Sequence, residues 1–171
     1  MKDRVEQYYQ KLASLIVEMI PEDWTEIKFY AQEDEEGSQK YFFYYQSSKT
    51  QEWVYNMTIT ENFEFPEEEF DKLEDELSFC ISDFKQDYQE EFGEVWTSFQ
   101  MTLNSNGKFN IHFSYEENPF DSLLTHIAWQ YENFGTTYEE DSFYQDLLEE
   151  YLEEKSQGKR YPFLEPIEKE E

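Results

Sequence analysis

Apolar side chains recur at three- and four-residue steps in four segments of the chain, which is the spacing of residues along one face of a helix. The first segment stops before Pro21, and the second begins at Pro66 and stops at Gly93. The third begins at Pro119 and ends at Gly135. Proline is favoured at the first position of a helix and glycine just beyond its end, so both residue types support these boundaries. The pattern therefore predicts four helices.

The fourth of these helices is predicted in the segment YEEDSFYQDLLEEYLEE, residues 138–154, which is rich in carboxylates and has no Lys or Arg. Its apolar residues share one face, so we expect that face to dock on the core and to leave the carboxylates outside. The residues expected on the buried face are Phe143, Tyr144, Leu147, Leu148, Tyr151 and Leu152.

Alternating apolar and polar residues, together with turn residues between them, predict five strands. Three lie between the first two helices, in residues 25–31 and in the segments KYFFYYQ and EWVYNMTI. Two more, EVWTSFQMTL and FNIHFSYE, are joined by Asn106-Gly107, which readily takes the left-handed backbone angles of a tight hairpin turn. We expect the last strand to face the core through Phe109, Ile111, Phe113 and Tyr115.

The order of elements, α-β-β-β-α-β-β-α-α, is typical of an α+β fold in which an antiparallel sheet of about five strands is packed with helices on one face. The 171-residue chain is close to the usual size of one domain, so residues 1–154 are predicted to form a single domain. Residues 155–171 have two prolines and no clear period. We expect them to form a mobile tail, although its segment YPFL could dock.

The charge of the chain changes this picture of an ordinary domain. A net charge of −28 in a polar sequence is typical of disorder, but 16 Phe, 14 Tyr and 4 Trp argue for a folded protein with an acidic exterior. The charge is concentrated along the chain, because no Lys or Arg occurs between Lys108 and Lys155 or between Lys49 and Lys72. Such stretches repel nucleic acid and anionic membranes and attract cationic partners.

The acidity exceeds what solubility requires, since a net charge in single figures is enough for a small domain. The excess negative charge favours a surface that binds a basic protein partner over a surface that is merely solvated. The N-terminus lacks the apolar run of a signal peptide, and no segment approaches the roughly 20 apolar residues of a membrane span. We therefore expect a cytoplasmic protein.

Residues able to carry catalysis are few. His112 is expected to be exposed on its strand and His126 on its helix, while Cys80 is expected in the core as a small hydrophobe. The sequence has no serine elbow, phosphate-binding glycine loop or paired-cysteine metal spacing. The best match to a calcium loop, AQEDEEGSQKYF, begins with Gln32 and ends with Phe43, where acids are required. We therefore predict no enzyme activity, no metal site and no cofactor.

Three segments, YYQKLASLIVEMIPEDWTEI, EVWTSFQMTLNSNGKFNIHFSYEE and WQYENFG, resemble the YezG-like immunity proteins of Gram-positive bacteria. The resemblance covers the chain from about Tyr8 to Gly135 in the expected order. It implies an antitoxin to a secreted toxin with a C-terminal nuclease domain, and some members of the family belong to type VII secretion systems. Basic residues that are common in the relatives' next helix are missing here, which leaves the identity of the toxin open.

Two hypotheses follow for the acidic exterior. The first is an immunity protein that places carboxylates against the basic cleft of a nuclease toxin domain, with aromatic anchors that add affinity. The second is a general DNA mimic or acidic adaptor that binds many basic nucleic-acid-binding proteins. Under the first hypothesis, charge and position select as partner-binding candidates Glu116, Glu117, Asp121, Tyr138, Glu139, Glu140, Asp141, Tyr144, Asp146, Glu149 and Glu150.

Overall fold

Two units make up the chain in the computed structural model, which describes residues 2–167. The first unit ends at Tyr115 and the second begins at Glu116. This division does not decide whether residues 1–154 behave as a single domain, which stays a prediction. Residue 1 of the predicted domain and residues 168–171 of the predicted tail lie outside the described residues. Among the described helices, none is long and apolar enough to cross a membrane.

The order of helices and strands confirms the predicted α+β fold. The first unit contains α1 (Lys2–Met19), β1 (Trp24–Glu33), β2 (Gln39–Ser47), β3 (Trp53–Tyr55), the short helix α2 (Ile59–Asn62), α3 (Glu67–Phe92), β4 (Ser98–Asn104) and β5 (Phe109–Ser114). The second unit contains α4 (Ser122–Phe134), α5 (Phe143–Ser156) and a 3-10 turn (Pro162–Leu164).

The five strands form one antiparallel sheet in the order β3-β2-β1-β4-β5. β1 is central, and its Phe29 is paired with Phe43 of β2 on one side and with Met101 of β4 on the other. Alternate residues of β1 belong to the hydrophobic core, as the period of two predicts. Side chains of α1 and α3 complete that core, including Leu12, Ile16, Met19, Phe70, Leu77, Ile81 and Phe84.

Helix α3 is the longest element, with 26 residues, and it has the predicted ends. Pro66 precedes its first turn, where Glu67, Glu68 and Glu69 stand at the positive end of the helix dipole. Gly93 follows its last residue with a φ of 74°, a left-handed angle that glycine adopts without strain. The boundary signals in the sequence therefore predicted this helix correctly.

The segment EWVYNMTI was predicted to be a strand, and most of that prediction was wrong. Only Trp53–Tyr55 pairs with β2, and the chain then turns through a 3-10 helix at Asn56–Thr58. The reason is the side chain of Asn56, which is buried and accepts a hydrogen bond from the backbone N–H of Phe43 at 3.0 Å. The side chain of Asn56 thus takes the place of the next backbone hydrogen bond between β2 and β3, which leaves the backbone after Tyr55 able to turn.

The prediction that only one face of the sheet is covered was also wrong. Tyr30 and Phe42 lie on the face opposite the core residues of β1 and β2, yet both are fully buried and their rings stack at 5.1 Å. The segment KYFFYYQ is aromatic at successive positions, and successive side chains of a strand point to opposite faces. Both faces of β2 are therefore apolar.

The β4–β5 hairpin turns where the sequence predicted. Gly107 has a φ of 88°, and the side-chain oxygen of Asn104 accepts hydrogen bonds from the backbone N–H groups of Asn106 and Lys108. Phe109, Ile111 and Phe113 pack against the core as expected. Tyr115 does not, because it lies beyond the end of β5 and is exposed.

The second unit is held together by aromatic contacts around Tyr151, which is fully buried. The ring of Phe120 lies 5.7 Å from that of Tyr151 and 4.8 Å from that of Tyr161. Within the predicted tail, α5 continues to Ser156, and Phe163 and Leu164 in YPFL are buried. The mobility of the tail in solution stays a prediction.

Candidate partner-binding surface

The residues before α5 form a tight turn whose hydrogen-bonded backbone carries three carboxylates. The backbone N–H of Ser142 donates to the carbonyl of Glu139 at 3.1 Å, and Asp141 takes a left-handed φ of 67°. The hydroxyl of Ser142 then caps α5 by accepting from the N–H of Gln145 at 3.1 Å. Glu139, Glu140 and Asp141 are all exposed. We call residues 138–144 the acidic turn.

Helix α5 buries a shorter apolar face than the sequence predicted. Leu148 and Tyr151 are buried, and Leu147 and Leu152 are half-buried. Phe143 and Tyr144 continue the same spacing toward the N-terminus, but they are 65% and 49% exposed. Burial begins only in the second turn of α5, so the first turn presents its aromatic side chains to solvent.

Three aromatic rings lie together in the acidic turn. The centroids of Tyr138 and Tyr144 are 5.6 Å apart, and those of Phe143 and Tyr144 are 6.0 Å apart. Partial burial raises the pKa of Tyr138, and the neighbouring Tyr144 raises it further, so its phenol stays neutral at physiological pH. Helical spacing placed both Phe143 and Tyr144 on the buried face, while charge and position selected Tyr138 and Tyr144, but not Phe143, as partner-binding candidates.

The exposed carboxylates continue along α5. Asp146, Glu149 and Glu150 are exposed, and the only basic residue of the helix, Lys155, lies in its last turn. The acidic turn and this face of α5 therefore present exposed carboxylates and two exposed aromatic rings within residues 139–150. An isolated exposed side chain is ordinary, but adjacent exposed aromatic residues are typical of an interaction site.

The other candidates stand in the segment that leads into α4. Glu116 and Glu117 are exposed. Asp121 is also exposed, but its carboxylate caps α4 by accepting from the N–H of Leu124 at 2.8 Å. Removing Asp121 would therefore destabilise α4 as well as change any contact.

Two acids of the predicted acidic run serve the fold instead. Glu132 accepts a hydrogen bond from the hydroxyl of Tyr151 at 3.0 Å and forms an ion pair with Lys155. Glu154 accepts from the hydroxyl of Tyr161 at 2.7 Å, and this bond together with nearby Lys159 lowers its pKa. Glu132 and Glu154 therefore make side-chain bonds within the second unit, which the sequence alone did not predict.

Catalytic groups do not converge in the described part of the chain. His112 is exposed, as expected, but His126 was wrongly expected at the surface and is only 8% exposed. Cys80 is buried, and burial raises the pKa of its thiol to about 11, so it is protonated at neutral pH. Residues 2–167 contain no group of three or more His, Cys, Asp or Glu side chains placed to hold a metal ion.

These features describe an α+β protein whose second unit exposes carboxylates and aromatic rings close together in the chain. The family model for YezG-like immunity proteins matches residues 5–149, and the chain belongs to that family. Membership confirms the resemblance seen in the sequence, and it confirms the prediction that the chain is not an enzyme, because immunity proteins act by binding a toxin.

Similar proteins come from two genera. The chain is 29% identical over 147 residues to the immunity protein YezG of Bacillus spizizenii, covering 84% of this chain and 90% of that one. It is 23% identical over 140 residues to YezG of Bacillus subtilis, covering 80% and 92%. It is 24% identical over 160 residues to the type VII secretion system protein EsaG of Staphylococcus aureus, covering 90% and 96%.

Proposed function

We propose that this immunity protein neutralises a cognate secreted toxin whose C-terminal domain is a nuclease, and that it does so in the cytoplasm. The observation that carries the proposal is the acidic turn, where Phe143 and Tyr144 are exposed beside three consecutive carboxylates. The names of the relatives, two immunity proteins and one type VII secretion system protein, support the toxin as partner.

The mechanism follows from what a nuclease must do. Its cleft binds a phosphate backbone and is therefore basic, so a carboxylate-rich surface can occupy the same cleft and exclude nucleic acid. Long-range attraction speeds association, while desolvated aromatic side chains supply much of the affinity. The proposed contact consists of Glu116, Glu117, Asp121, Tyr138, Glu139, Glu140, Asp141, Tyr144, Asp146, Glu149 and Glu150, to which exposure adds Phe143.

The test is to purify the C-terminal domain of a toxin encoded beside the gene for this protein. The nuclease activity of that domain is then measured as this protein is added. Stoichiometric loss of activity is expected. Undiminished activity at excess immunity protein would sink the proposal.

A charge variant of the acidic turn tests the surface separately. The triple change Glu139→Gln, Glu140→Gln and Asp141→Asn removes the three negative charges. It places asparagine at position 141, where the backbone has a left-handed φ that asparagine tolerates. We expect the association rate with the toxin domain to fall by about three- to tenfold in low salt. The matched control changes Glu67, Glu68 and Glu69 to Gln, which alters net charge equally on the exposed start of α3. Equal effects of both triples would show that only overall charge matters.

The second candidate function, a general acidic adaptor or DNA mimic, is favoured by the net charge of −28 alone. It predicts weak binding to unrelated basic proteins that disappears as salt is raised, because exposed charges are screened beyond about 8 Å in physiological salt. An immunity protein should instead keep one partner in high salt. A pull-down at low and at raised salt separates the two functions.

A further inference from the structure

Strand β5 has one long side that faces no other strand. It stands at one end of the sheet, and within residues 2–167 only β4 pairs with it. The opposite end of the sheet is β3, which spans three residues, whereas β5 spans six. The outer side of β5 is therefore the longer of the two sheet edges. We call this side of β5 the open edge.

The hydrogen bonds of the β4–β5 hairpin identify the backbone groups that lie on the open edge. The N–H of Asn104 donates to the carbonyl of Lys108 at 3.0 Å, which makes these two residues a hydrogen-bonded pair. Such pairs alternate along an antiparallel ladder, so every second residue of β5 from Asn110 turns its backbone groups toward β4. The backbone N–H and carbonyl groups that point outward are those of Phe109, Ile111 and Phe113.

The open edge lacks the features that usually keep an edge strand from pairing with another chain. Such strands are commonly protected by charged side chains, by proline or by a bulge. β5 contains no Asp, Glu, Lys, Arg or Pro, and its register with β4 is regular along Phe109–Ser114. His112, on the face opposite the core, is exposed, so that face is open to solvent in the middle of the strand. An extended strand can therefore add to the sheet here.

The charge of this part of the chain selects the strand that pairs there. Residues 95–115, which contain β4 and β5, form the longest stretch of the sequence without Asp or Glu, although the chain has 41 of these residues. A basic partner gains no charge attraction from such a strand. Two copies of a chain with a net charge of −28, by contrast, meet with least repulsion at an edge without acids, since exposed charges act over only about 8 Å in physiological salt.

The sequence of β5 is also complementary to itself. When Ile111 lies opposite Ile111 of a second copy in an antiparallel pair, Phe109 lies opposite Phe113, and all three outward residues form hydrogen-bonded pairs. Apolar residues then meet on the core face, and Asn110 meets His112 on the other face. No two like charges stand opposite each other within the strand. A contact made of the same residues on both sides closes as a symmetric dimer.

We propose that this protein forms a dimer in which the open edge of β5 pairs antiparallel with the same edge of a second copy, centred on Ile111. The two five-stranded sheets then continue as one sheet across the dimer. The inference does not use the toxin as partner, so it can fail while the proposed function stands, and the proposed function can fail while the dimer stands.

Sedimentation velocity of the wild type at micromolar and at near-millimolar concentration tests the dimer. We expect a monomer–dimer equilibrium whose dimer fraction rises with protein concentration. Added salt should strengthen this dimer, because it screens the repulsion between two acidic copies, whereas salt weakens a complex held by opposite charges. A wild type that stays monomeric at both concentrations would overturn the inference.

Two double variants test the register. Asn110→Glu with His112→Glu places like charges opposite each other across the paired strands, so we expect the dissociation constant of the dimer to rise about tenfold or more. Asn110→Lys with His112→Glu places opposite charges there, and this variant should dimerise at least as tightly as the wild type. The control, Asn62→Glu with Gln157→Glu, adds the same charge at exposed positions outside β5, and it should raise the constant by less than about threefold.

Circular dichroism verifies that each variant is folded. Equal weakening of the dimer by the control and by Asn110→Glu with His112→Glu would overturn the inference, and so would failure of Asn110→Lys with His112→Glu to dimerise. The other possible occupant of the open edge is a strand of the toxin domain. A monomeric wild type whose toxin binding is weakened by Asn110→Glu with His112→Glu would assign the edge to the toxin and show the dimer to be wrong.

Discussion

The backbone N–H of Tyr138 donates a hydrogen bond to the side-chain oxygen of Gln145, at 2.9 Å. The N–H of Gln145 in turn donates to the hydroxyl of Ser142. Gln145, in the first turn of α5, thus bonds to Tyr138 and to Ser142, the two residues that flank the three carboxylates. These bonds order the backbone that carries the carboxylates, which lowers the entropy lost when a partner binds.

Replacing Gln145 with alanine should loosen the acidic turn without removing any charge or ring. We expect the dissociation rate of the toxin complex to rise by about three- to tenfold, because the turn must then be ordered on binding. Surface plasmon resonance measures this rate. The control is Gln157→Ala, which removes an exposed glutamine at the other end of α5. An equal effect of both changes would show that the bond to Tyr138 contributes nothing.

Phe143 should be an anchor of the complex and nearly irrelevant to the free fold. Phe143→Ala is expected to weaken toxin binding about tenfold or more, because exposed aromatic side chains that become buried carry much of the energy of an interface. Its unfolding free energy should change by less than about 0.5 kcal/mol. The contrasting variant is Leu148→Ala, where a fully buried side chain is lost at a cost of about 2–5 kcal/mol. Denaturant unfolding and calorimetry with the toxin domain measure both quantities.

The fold was predicted well where local signals agree with packing. Pro66 and Gly93 mark the two ends of α3, as predicted from the helix positions that proline and glycine favour. The alternation of apolar and polar residues in β1 correctly predicted the buried face of the central strand. The prediction was wrong at β3, since no periodicity shows that the side chain of Asn56 takes the place of a ladder bond. That bond joins residues 13 positions apart, which a local pattern cannot detect.

The candidate site stays a prediction, to which the structure adds the arrangement of its residues. Charge counts along the chain selected the acids of α5, yet they could not separate Glu132, which bonds Tyr151, from Glu149 and Glu150, which face outward. Phe143 and Tyr144 were wrongly expected on the buried face, because helical spacing says which residues share a face and not where packing against that face begins.

The bond between Asn56 and the N–H of Phe43 should carry a measurable part of the stability of the first unit. Asn56→Ala leaves a buried N–H without its acceptor, and we expect the free energy of unfolding to fall by about 1–3 kcal/mol. Asn56→Asp keeps an acceptor in place but buries an ionisable carboxylate, so it should also destabilise the fold. The control is Asn62→Ala at an exposed position. Urea unfolding measures the four proteins, and equal stability of the wild type and Asn56→Ala would contradict the argument.

Alkaline pH should destabilise the protein through its tyrosines. Burial and the bond to Glu154 together raise the pKa of Tyr161 to about 12, while the unfolded value is 10.0. Burial likewise raises the pKa of Tyr45 and Tyr151, each of which donates to a glutamate. The folded state then binds more protons than the unfolded state above pH 10.0, so stability is complete below that pH and falls as pH rises through the folded pKa.

Urea unfolding at neutral and at alkaline pH measures this loss, and tyrosinate absorbance reports the titration. Tyr161→Phe should lose part of the pH dependence, because it removes one of the shifted groups. A free energy of unfolding that stays constant across the alkaline range would contradict the assignment.

The segment after α5 should be attached through Asn133. Its side-chain amide donates to the carbonyl of Leu164 at 3.1 Å, and Phe163 and Leu164 are buried. Lys159 and Arg160 are exposed before this attachment, so trypsin should cut there slowly in the wild type and several times faster in Asn133→Ala. Mass spectrometry of timed digests identifies the sites, and cleavage after Lys49 in the first unit serves as the internal control, since it should be equal in both proteins. Equally fast cleavage after Lys159 in both proteins would instead support the mobile tail that the sequence predicts. In that case the segment is already detached in the wild type, so replacing Asn133 does not change its exposure to trypsin.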